Sequence, residues 1–389
     1  MKFTKLSLVA ALLIGSSAFA VENIKVGGDA KLFYSTQNDT NANAKADLFQ
    51  QESSSAEAAV NVGITADLTT GISSGVTISA ITTLGLENNL VSGTWTGGTT
   101  DEVWFSDAWL AGTAGKTTGK IGRMALDTPL VFTETWSVVQ NTFEAAVLVN
   151  QDIPNTTLVG AYVGKSNHGE VLGGGVTAHS FTSFYNGAYA IGAVNNSFEP
   201  LTVSAWYFDA TSTVKSYWLQ ADLDMSGIIA GIQYTSQEAQ TTTAETQSAF
   251  SAKLGYEMKD TFAVSAAFSQ VDDKNGMNNV GANYAGAQSK LYTEAWWYYG
   301  VISKPDTQAY NVTATGSVSD IDLGVYYTAA TIGDGVAVGT DADFAEATFE
   351  VAKSFGPLDA GLYYIYTKYD VDNSGDAYDT VQVYLTYNY

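Results

Sequence analysis

The chain has 389 residues, 40 of them acidic and 17 basic, which gives a formal net charge of −23 at pH 7. An acidic chain of this kind is a poor partner for nucleic acid, because phosphate binding needs clustered lysine and arginine side chains. The absence of cysteine excludes disulfides, thiolate metal sites and cysteine catalysis.

The first 20 residues have the pattern of a secretory signal peptide. Lys2 and Lys5 precede the apolar run 6–14, and residues 18–20 (Ala-Phe-Ala) form a cleavage signal of the A-x-A type. No later stretch of the sequence reaches the ~18 consecutive apolar residues that a membrane-spanning helix needs. We therefore predict an exported protein whose mature chain is 21–389 and which has no helical membrane anchor.

The rest of the sequence alternates apolar and polar residues with a period of two, which indicates β-strands rather than helices. In the last run, Val381, Val383 and Leu385 share one face, while Gln382 and Tyr384 share the other. The same alternation marks the runs 26–34, 58–68, 143–149, 201–207, 250–256, 262–268, 321–327 and 345–351.

Long and short turn segments alternate between these runs, which is typical of an up-and-down barrel with surface loops at one end. We place eighteen strands, joined by nine long loops and eight short turns. This count requires 271–305 to be one long loop, although the segment 291–299 within it is apolar. Eighteen strands enclose an aqueous channel rather than a packed interior.

The predicted fold class is all-β: a transmembrane antiparallel up-and-down β-barrel of 18 strands with an inward-folded constriction loop. The outward faces are apolar over nearly every run, and aromatic residues lie near the strand ends, as the girdles of membrane barrels require. The last predicted strand ends on Tyr389 and would close the barrel against the first, leaving no edge in lipid. The alternative is a soluble secreted β-protein, an adhesin or a glycan hydrolase, because a β-sandwich also alternates.

Residues 118–165 resemble a known family. The segments 141–145 and 149–164 are similar to a hairpin of the major outer-membrane porins of Campylobacter-type bacteria, which are related to the OprD-like porins. Gly122-Arg123 followed by 126–130 resembles the start of that family's constriction loop. The resemblance implies an 18-strand barrel in the bacterial outer membrane, in contact with lipid and lipopolysaccharide. It also implies a homotrimer and passive diffusion of small hydrophilic solutes.

Arg123 is the sole arginine, and it lies just before the predicted constriction loop 125–141. This loop contains Asp127 and Glu134, and Glu144 follows it. A guanidinium that faces carboxylates would set a transverse field across the pore, so we predict that these four residues form the constriction. The alternative is a strand-end arginine that meets a loop acid or lipopolysaccharide.

If the apolar face of each strand points to lipid, the opposite face lines the lumen. The acidic residues that this rule places inside, in addition to Glu144, are Asp29, Asp67, Asp222, Asp224, Asp322, Glu346 and Glu350; the bases are Lys25, Lys31 and Lys253. An excess of carboxylates favours cations by raising their local concentration. The alternative is that these charges only hydrate the wall.

No constellation of residues predicts an enzyme or a bound cofactor. The two histidines, His168 and His179, lie in one glycine-rich loop without the spacing of a zinc site. Asp370, Asp372 and Asp376 resemble the first half of a calcium loop, but position twelve is Val381 instead of a bidentate glutamate, so at most a weakly bound divalent cation is expected.

The function predicted first is therefore a cation-preferring diffusion channel. A substrate-selective channel of OprD type, for a basic or zwitterionic solute, is the alternative within the same fold.

Overall fold

The computed structural model describes residues 23–38, 47–94, 101–173, 177–240, 245–274, 276–333, 342–371 and 377–389. The predicted signal peptide, residues 1–20, lies outside these ranges. The strands are β1 (Lys25–Gln37), β2 (Ser54–Thr69), β3 (Ile72–Thr82), β4 (Glu102–Ala114), β5 (Thr117–Met124), β6 (Phe143–Asn150), β7 (Thr156–Ser166), β8 (Thr182–Phe198), β9 (Leu201–Ala210), β10 (Val214–Met225), β11 (Ile228–Ala239), β12 (Gln247–Met258), β13 (Phe262–Val271), β14 (Thr307–Val318), β15 (Ile321–Ile332), β16 (Ala342–Phe355), β17 (Leu358–Val371) and β18 (Ala377–Asn388).

The eighteen strands form one antiparallel sheet that closes on itself. Each strand pairs with its neighbours in chain order, and β18 pairs with β1 as well as with β17. The closing register runs from Asp29 opposite Asn388 to Gln37 opposite Thr380. The predicted fold class and strand number are thus confirmed. Closure pairs both hydrogen-bonding edges of every strand, so no unpaired edge is left in lipid.

The predicted alternation of nine long loops and eight short turns is broken once, between β9 and β10. The connection between β9 and β10 is a three-residue turn, in which the N–H of Thr213 donates to the carbonyl of Ala210 at 2.9 Å and Ser212 has a φ of 60°. By contrast, β13 and β14 are joined by one long connection, as predicted.

Within the described residues, helical structure is limited to a short helix, α1 (His168–Val171), and two single 3-10 turns, Gln51–Ser53 and Val301–Ser303. Across the described ranges, no helix is long and apolar enough to cross a membrane.

The outer face of the barrel is apolar. Large apolar and aromatic side chains alternate along the strands and stay exposed, among them Ile64, Leu110, Ile232, Val312, Phe349, Tyr189, Tyr217, Tyr234, Tyr310 and Tyr364. Because water would penalise this much exposed apolar surface, the belt indicates that the outer face meets hydrocarbon.

The buried apolar side chains lie inside the barrel. One cluster packs Phe143, Phe208 and Trp218 of the wall against Leu130 and Ile302, which belong to two loops that enter the lumen. A second cluster packs wall residues against the same two loops; its members include Phe33, Trp104, Ile365, Val138, Val139 and Trp297. The lumen is therefore narrowed by its own connections.

Candidate functional site: two interlocked loops in the lumen

The first lumen loop connects β5 to β6 and comprises residues 125–142. It folds back on itself, because the N–H of Thr133 donates to the carbonyl of Leu126 at 2.8 Å and Asp127 forms an isolated antiparallel bridge with Phe132. Leu130 is fully buried and packs in the cluster that contains Phe143. The structure thus supports an inward-folded loop close to the predicted range 125–141.

The second lumen loop connects β13 to β14 and comprises residues 272–306. The sequence predicts one long surface loop here, although the apolar segment 291–299 indicates that part of it is buried. It binds the first loop through main-chain contacts. The N–H of Tyr284 donates to the carbonyl of Leu130 at 2.8 Å, and the Asn283 amide pairs with both main-chain groups of Phe132 at 3.1 and 2.9 Å.

The Glu134 carboxylate joins these two loops to a third. Only 3% of its side chain is exposed, and it accepts hydrogen bonds from Asn283 Nδ2 at 3.0 Å and from the N–H of Gln288 at 3.2 Å. His168, on α1 in the loop between β7 and β8, lies 3.3 Å away through Nε2. Burial alone would raise the pKa of Glu134, but its contacts with His168, Asn283 and Trp136 together hold the pKa below its ordinary value.

Asp127 forms an ion pair with Lys290 of the second loop. The ammonium of Lys290 also lies 4.7 Å from the centre of the Phe132 ring. Both side chains are about one-third exposed, at 33% for Lys290 and 29% for Asp127. The cation that opposes the first acid of the constriction loop is therefore Lys290.

The prediction that Arg123 and Glu144 line the constriction is wrong. Arg123 Nε and Nη2 both donate to Glu144 at 3.1 Å, and the two residues are opposite each other on β5 and β6. Their neighbours Met124 and Phe143 are buried inside, so the alternation of a strand turns Arg123 and Glu144 to the outer face.

The error arose from β6, where the buried apolar residues face the lumen and not the lipid. Ala145, Val147 and Val149 all belong to the internal cluster with Leu130, because the first loop gives this part of the wall an apolar partner. The rule that apolar faces point outward therefore fails at this strand.

Several predicted lumen acids hold the second loop in place. Glu346, which is 1% exposed, accepts the N–H groups of Trp297 and Tyr298 at 2.9 and 2.8 Å. Asp222 accepts the hydroxyl of Tyr292 at 2.6 Å. These carboxylates therefore accept hydrogen bonds from loop groups and orient them rather than lining open water.

Glu350 and Lys253 complete this contact between wall and loop. Glu350 accepts the hydroxyls of Tyr326 at 2.6 Å and Tyr363 at 3.1 Å, and the loop residue Trp296 stacks on Tyr363 with ring centres 4.5 Å apart. The ammonium of Lys253 lies 4.3 Å from the centre of the Tyr292 ring.

The remaining predicted lumen acids take no part in the contact between the loops 125–142 and 272–306. Asp29 accepts from Asn61 at 2.7 Å and lies 3.7 Å from Lys31. Asp67 accepts a hydrogen bond from Asn23 at 2.9 Å, and Asp322 accepts one from Ser317. Asp224 is exposed beside a short turn, and Lys25 is exposed at the start of β1.

The second loop also contains a buried acid that no motif in the sequence marks. Glu294 accepts the main-chain N–H groups of Ser289 at 2.6 Å, Ala295 at 3.0 Å and Gly300 at 3.2 Å. Burial raises the pKa of Glu294 to about 8, which outweighs the effect of these donors.

The predicted calcium motif is only partly visible. Asp370 pairs with Lys368 at 3.2 Å, while Asp372 and Asp376 lie outside the described residues. Within the ranges that the structure describes, no three histidine, cysteine or acidic side chains are grouped as a metal site would need.

A closed 18-strand antiparallel sheet with an apolar outer belt and loops folded into its lumen defines a transmembrane β-barrel. Solved structures of OprD/Occ-family porins share this fold. Acinetobacter baumannii OccAB1 matches with a TM-score of 0.76 at 15% identity, over 96% of this chain and 98% of that one. Pseudomonas aeruginosa OpdK, solved with vanillate, matches with a TM-score of 0.77 at 10% identity, over 95% and 99%. Pseudomonas aeruginosa OpdO matches with a TM-score of 0.72 at 14% identity, over 95% and 98%.

No protein-family model matches the sequence, and no curated protein matches it either. At these low identities, the likeness to OprD/Occ porins shows the fold alone.

Proposed function

We propose that the protein forms a narrow, water-filled channel in the bacterial outer membrane, through which small hydrophilic solutes diffuse passively. The observation that carries this proposal is the closed 18-strand barrel, apolar outside, whose lumen is narrowed by the interlocked loops 125–142 and 272–306. The shared fold with porins supports a channel rather than an enzyme. The apolar outer belt argues against the soluble adhesin or hydrolase.

We propose further that the channel prefers cations. Asp29, Asp67, Asp224 and Asp322 lie on lumen-facing positions of the strands. Acids fixed along a lumen raise the local concentration of cations. The lysines beside them, such as Lys31, offset only part of this charge.

The test is the reversal potential of the purified protein in a planar bilayer under a potassium chloride gradient. The expected sign is that of potassium selectivity, and the potential should shrink at 1 M salt, because the screening length falls from ~10 Å at 0.1 M to ~3 Å. A potential of anionic sign would contradict the preference while leaving the channel itself intact. Absence of any conductance in correctly folded protein would contradict the channel.

A second candidate is a substrate-selective channel for a basic or zwitterionic solute. The ion pair between the two lumen loops favours it, because Asp127 and Lys290 place opposite charges together where these loops narrow the channel. Such a pair suits a solute that carries both charges. Block of single-channel current by micromolar lysine or arginine, without block by glucose, would support selectivity; equal currents with all three would support general diffusion.

Three finer features stay predictions: removal of residues 1–20, assembly as a homotrimer and the narrower kinship with Campylobacter-type porins. The N-terminal sequence of the membrane-extracted protein tests the first. The mass of the detergent-solubilised particle tests the second. A weakly bound divalent cation at 370–376 is likewise proposed, and calcium titration followed by equilibrium dialysis tests it.

A further inference from the structure

We propose that the outer face of β5, β6 and β7 binds lipopolysaccharide, with a lipid phosphate at Arg123 and Lys165 and an acyl chain in the groove beside them. The proposal concerns the outer surface of the barrel and is independent of what passes through the lumen.

The outward side chains of these strands form three rows across the sheet. The registers place Arg123 opposite Glu144 and Glu144 opposite Lys165, which makes the charged row. The next two rows are apolar and consist of Ile121, Ala146 and Tyr162, followed by Gly119, Leu148 and Gly160. Successive rows are two residues, or ~7 Å, apart along β5 and β6. On β7 a register shift puts Lys165 three residues from Tyr162. The surface thus changes from charged to apolar over the length of a lipid's headgroup region.

The two apolar rows contain an open groove of about 450 Å³. The floor of the groove consists of Gly119, Ala146 and Gly160, which have small side chains or none. Leu148 and Tyr162 line its sides. A hydrocarbon chain fills such a groove better than water does, because the lining is almost entirely apolar.

The charged row fits an anionic headgroup. Glu144 holds Arg123 at 3.1 Å and Lys165 at 3.4 Å, so two bases share one acid and a single positive charge is left over. The guanidinium of Arg123 is fixed further by the Phe181 ring at 4.0 Å and by a bond to the carbonyl of Phe105 at 3.1 Å. A planar guanidinium held in this way is suited to phosphate oxygens.

The position along the barrel selects the lipid. Arg123 and Lys165 lie at the ends of β5 and β7, where these strands enter the long loops 125–142 and 167–181. In outer-membrane barrels the longer loops face outward, and charges on the lipid side are tolerated only near the interface. The charged row would therefore lie at the headgroups of the outer leaflet, whose lipid in the outer membrane is a phosphorylated glycolipid.

Two substitutions test the site separately. Lys165→Gln removes an exposed base, and Gly160→Leu fills the groove; a Cβ at Gly160 would meet no atom within 4 Å, so the barrel has room for it. The matched controls are Lys353→Gln, an outward lysine beside Phe355, and Ala314→Leu, an outward exposed alanine of β14. A heat-dependent gel shift verifies that each full-length variant folds.

The measurement is native mass spectrometry of the detergent-purified chain titrated with rough lipopolysaccharide, and in parallel with phosphatidylglycerol. We expect Lys165→Gln to weaken lipopolysaccharide binding about fivefold, since a base near an anionic membrane surface contributes ~1 kcal/mol. Gly160→Leu should weaken it at least as much, whereas both controls should bind like the parent chain.

Three results would overturn the proposal. Equal lipopolysaccharide binding by all four variants would show that neither the charged row nor the groove takes part. Equal affinity for phosphatidylglycerol would assign the surface to any anionic lipid. A change of oligomeric mass in Gly160→Leu, without loss of lipid, would assign the groove to a second copy of the chain.

Discussion

Lys290 and Asp127 are 163 residues apart in the chain, yet they form an ion pair between the two loops inside the barrel. The pair joins a loop that leaves β5 to a loop that leaves β13, so it spans the lumen instead of lying along one wall. Because both side chains stay partly exposed, their charges remain available to solutes.

Substitution of either member of this pair should change ion selectivity in opposite directions. Lys290→Gln removes the positive charge at the narrowed part, so preference for potassium should increase. Asp127→Asn should reduce the preference for potassium, because it removes a negative charge from the same place. The reversal potential under a fixed salt gradient measures both.

Arg123→Gln provides the comparison, because its side chain faces outward beside Glu144. It should leave the reversal potential unchanged. A changed reversal potential in Arg123→Gln, with none in Lys290→Gln, would show that Arg123 lines the constriction. It would also contradict the role given to the Asp127–Lys290 pair.

Glu134→Ala should loosen the contact among the three loops. The carboxylate is buried and bonds to Asn283, Gln288 and His168, and removal of one partner of such a network costs ~3 kcal/mol. Single-channel recordings should show a larger and noisier current, while the gel shift of the folded barrel is kept. Thr135→Ala, at the exposed next residue, is the matched control; identical traces for the two variants would refute the role of Glu134.

The packing of the second loop inside the barrel should become less stable as pH rises. The pKa of Glu294 is about 8 in the folded protein, against ~4.3 for a free glutamate. Between pH ~4.3 and pH 8, Glu294 keeps its proton in the folded state and loses it in the unfolded state. The contribution of this proton to the stability of the fold is therefore complete below pH ~4.3 and is lost as the pH rises to 8.

Current noise should accordingly increase between pH 6 and pH 9. Glu294→Gln cannot lose a proton and should give a flat profile, whereas Glu257→Gln, an exposed acid at a short turn, should behave like the parent chain. A pH response that persists in Glu294→Gln would assign it to another group.

Closure of the barrel should depend on the main chain of β18. Val383 lies opposite Tyr34 on one side and Leu362 on the other. Val383→Pro removes a donor in the closing ladder and leaves a carbonyl unpaired in hydrocarbon, so membrane insertion should fall sharply. Val383→Ala keeps the donor and should insert; equal insertion of both would contradict closure through this strand.

The strands and the long connection 272–306 were predictable because period-two alternation and turn residues are local signals. The face of Arg123 was predictable in part: Ile121 and Arg123 share a face, and Ile121 is plainly apolar. The role of Lys290 was not predictable, because its meeting with Asp127 depends on the closure of the whole barrel. Glu294 could not be recognised either, since its burial comes from loop packing and not from any motif.

The second loop also has a mechanical consequence. It bonds to Asp222 on β10, to Glu346 on β16 and to the loop that leaves β5, which are three separated points of the wall. A wide barrel without a packed centre is easily flattened. The second loop, bonded at these three places, keeps the cross-section of the barrel round. The bore of this barrel should therefore resist the lateral pressure of the surrounding lipid, and membranes of different thickness should leave its open current the same.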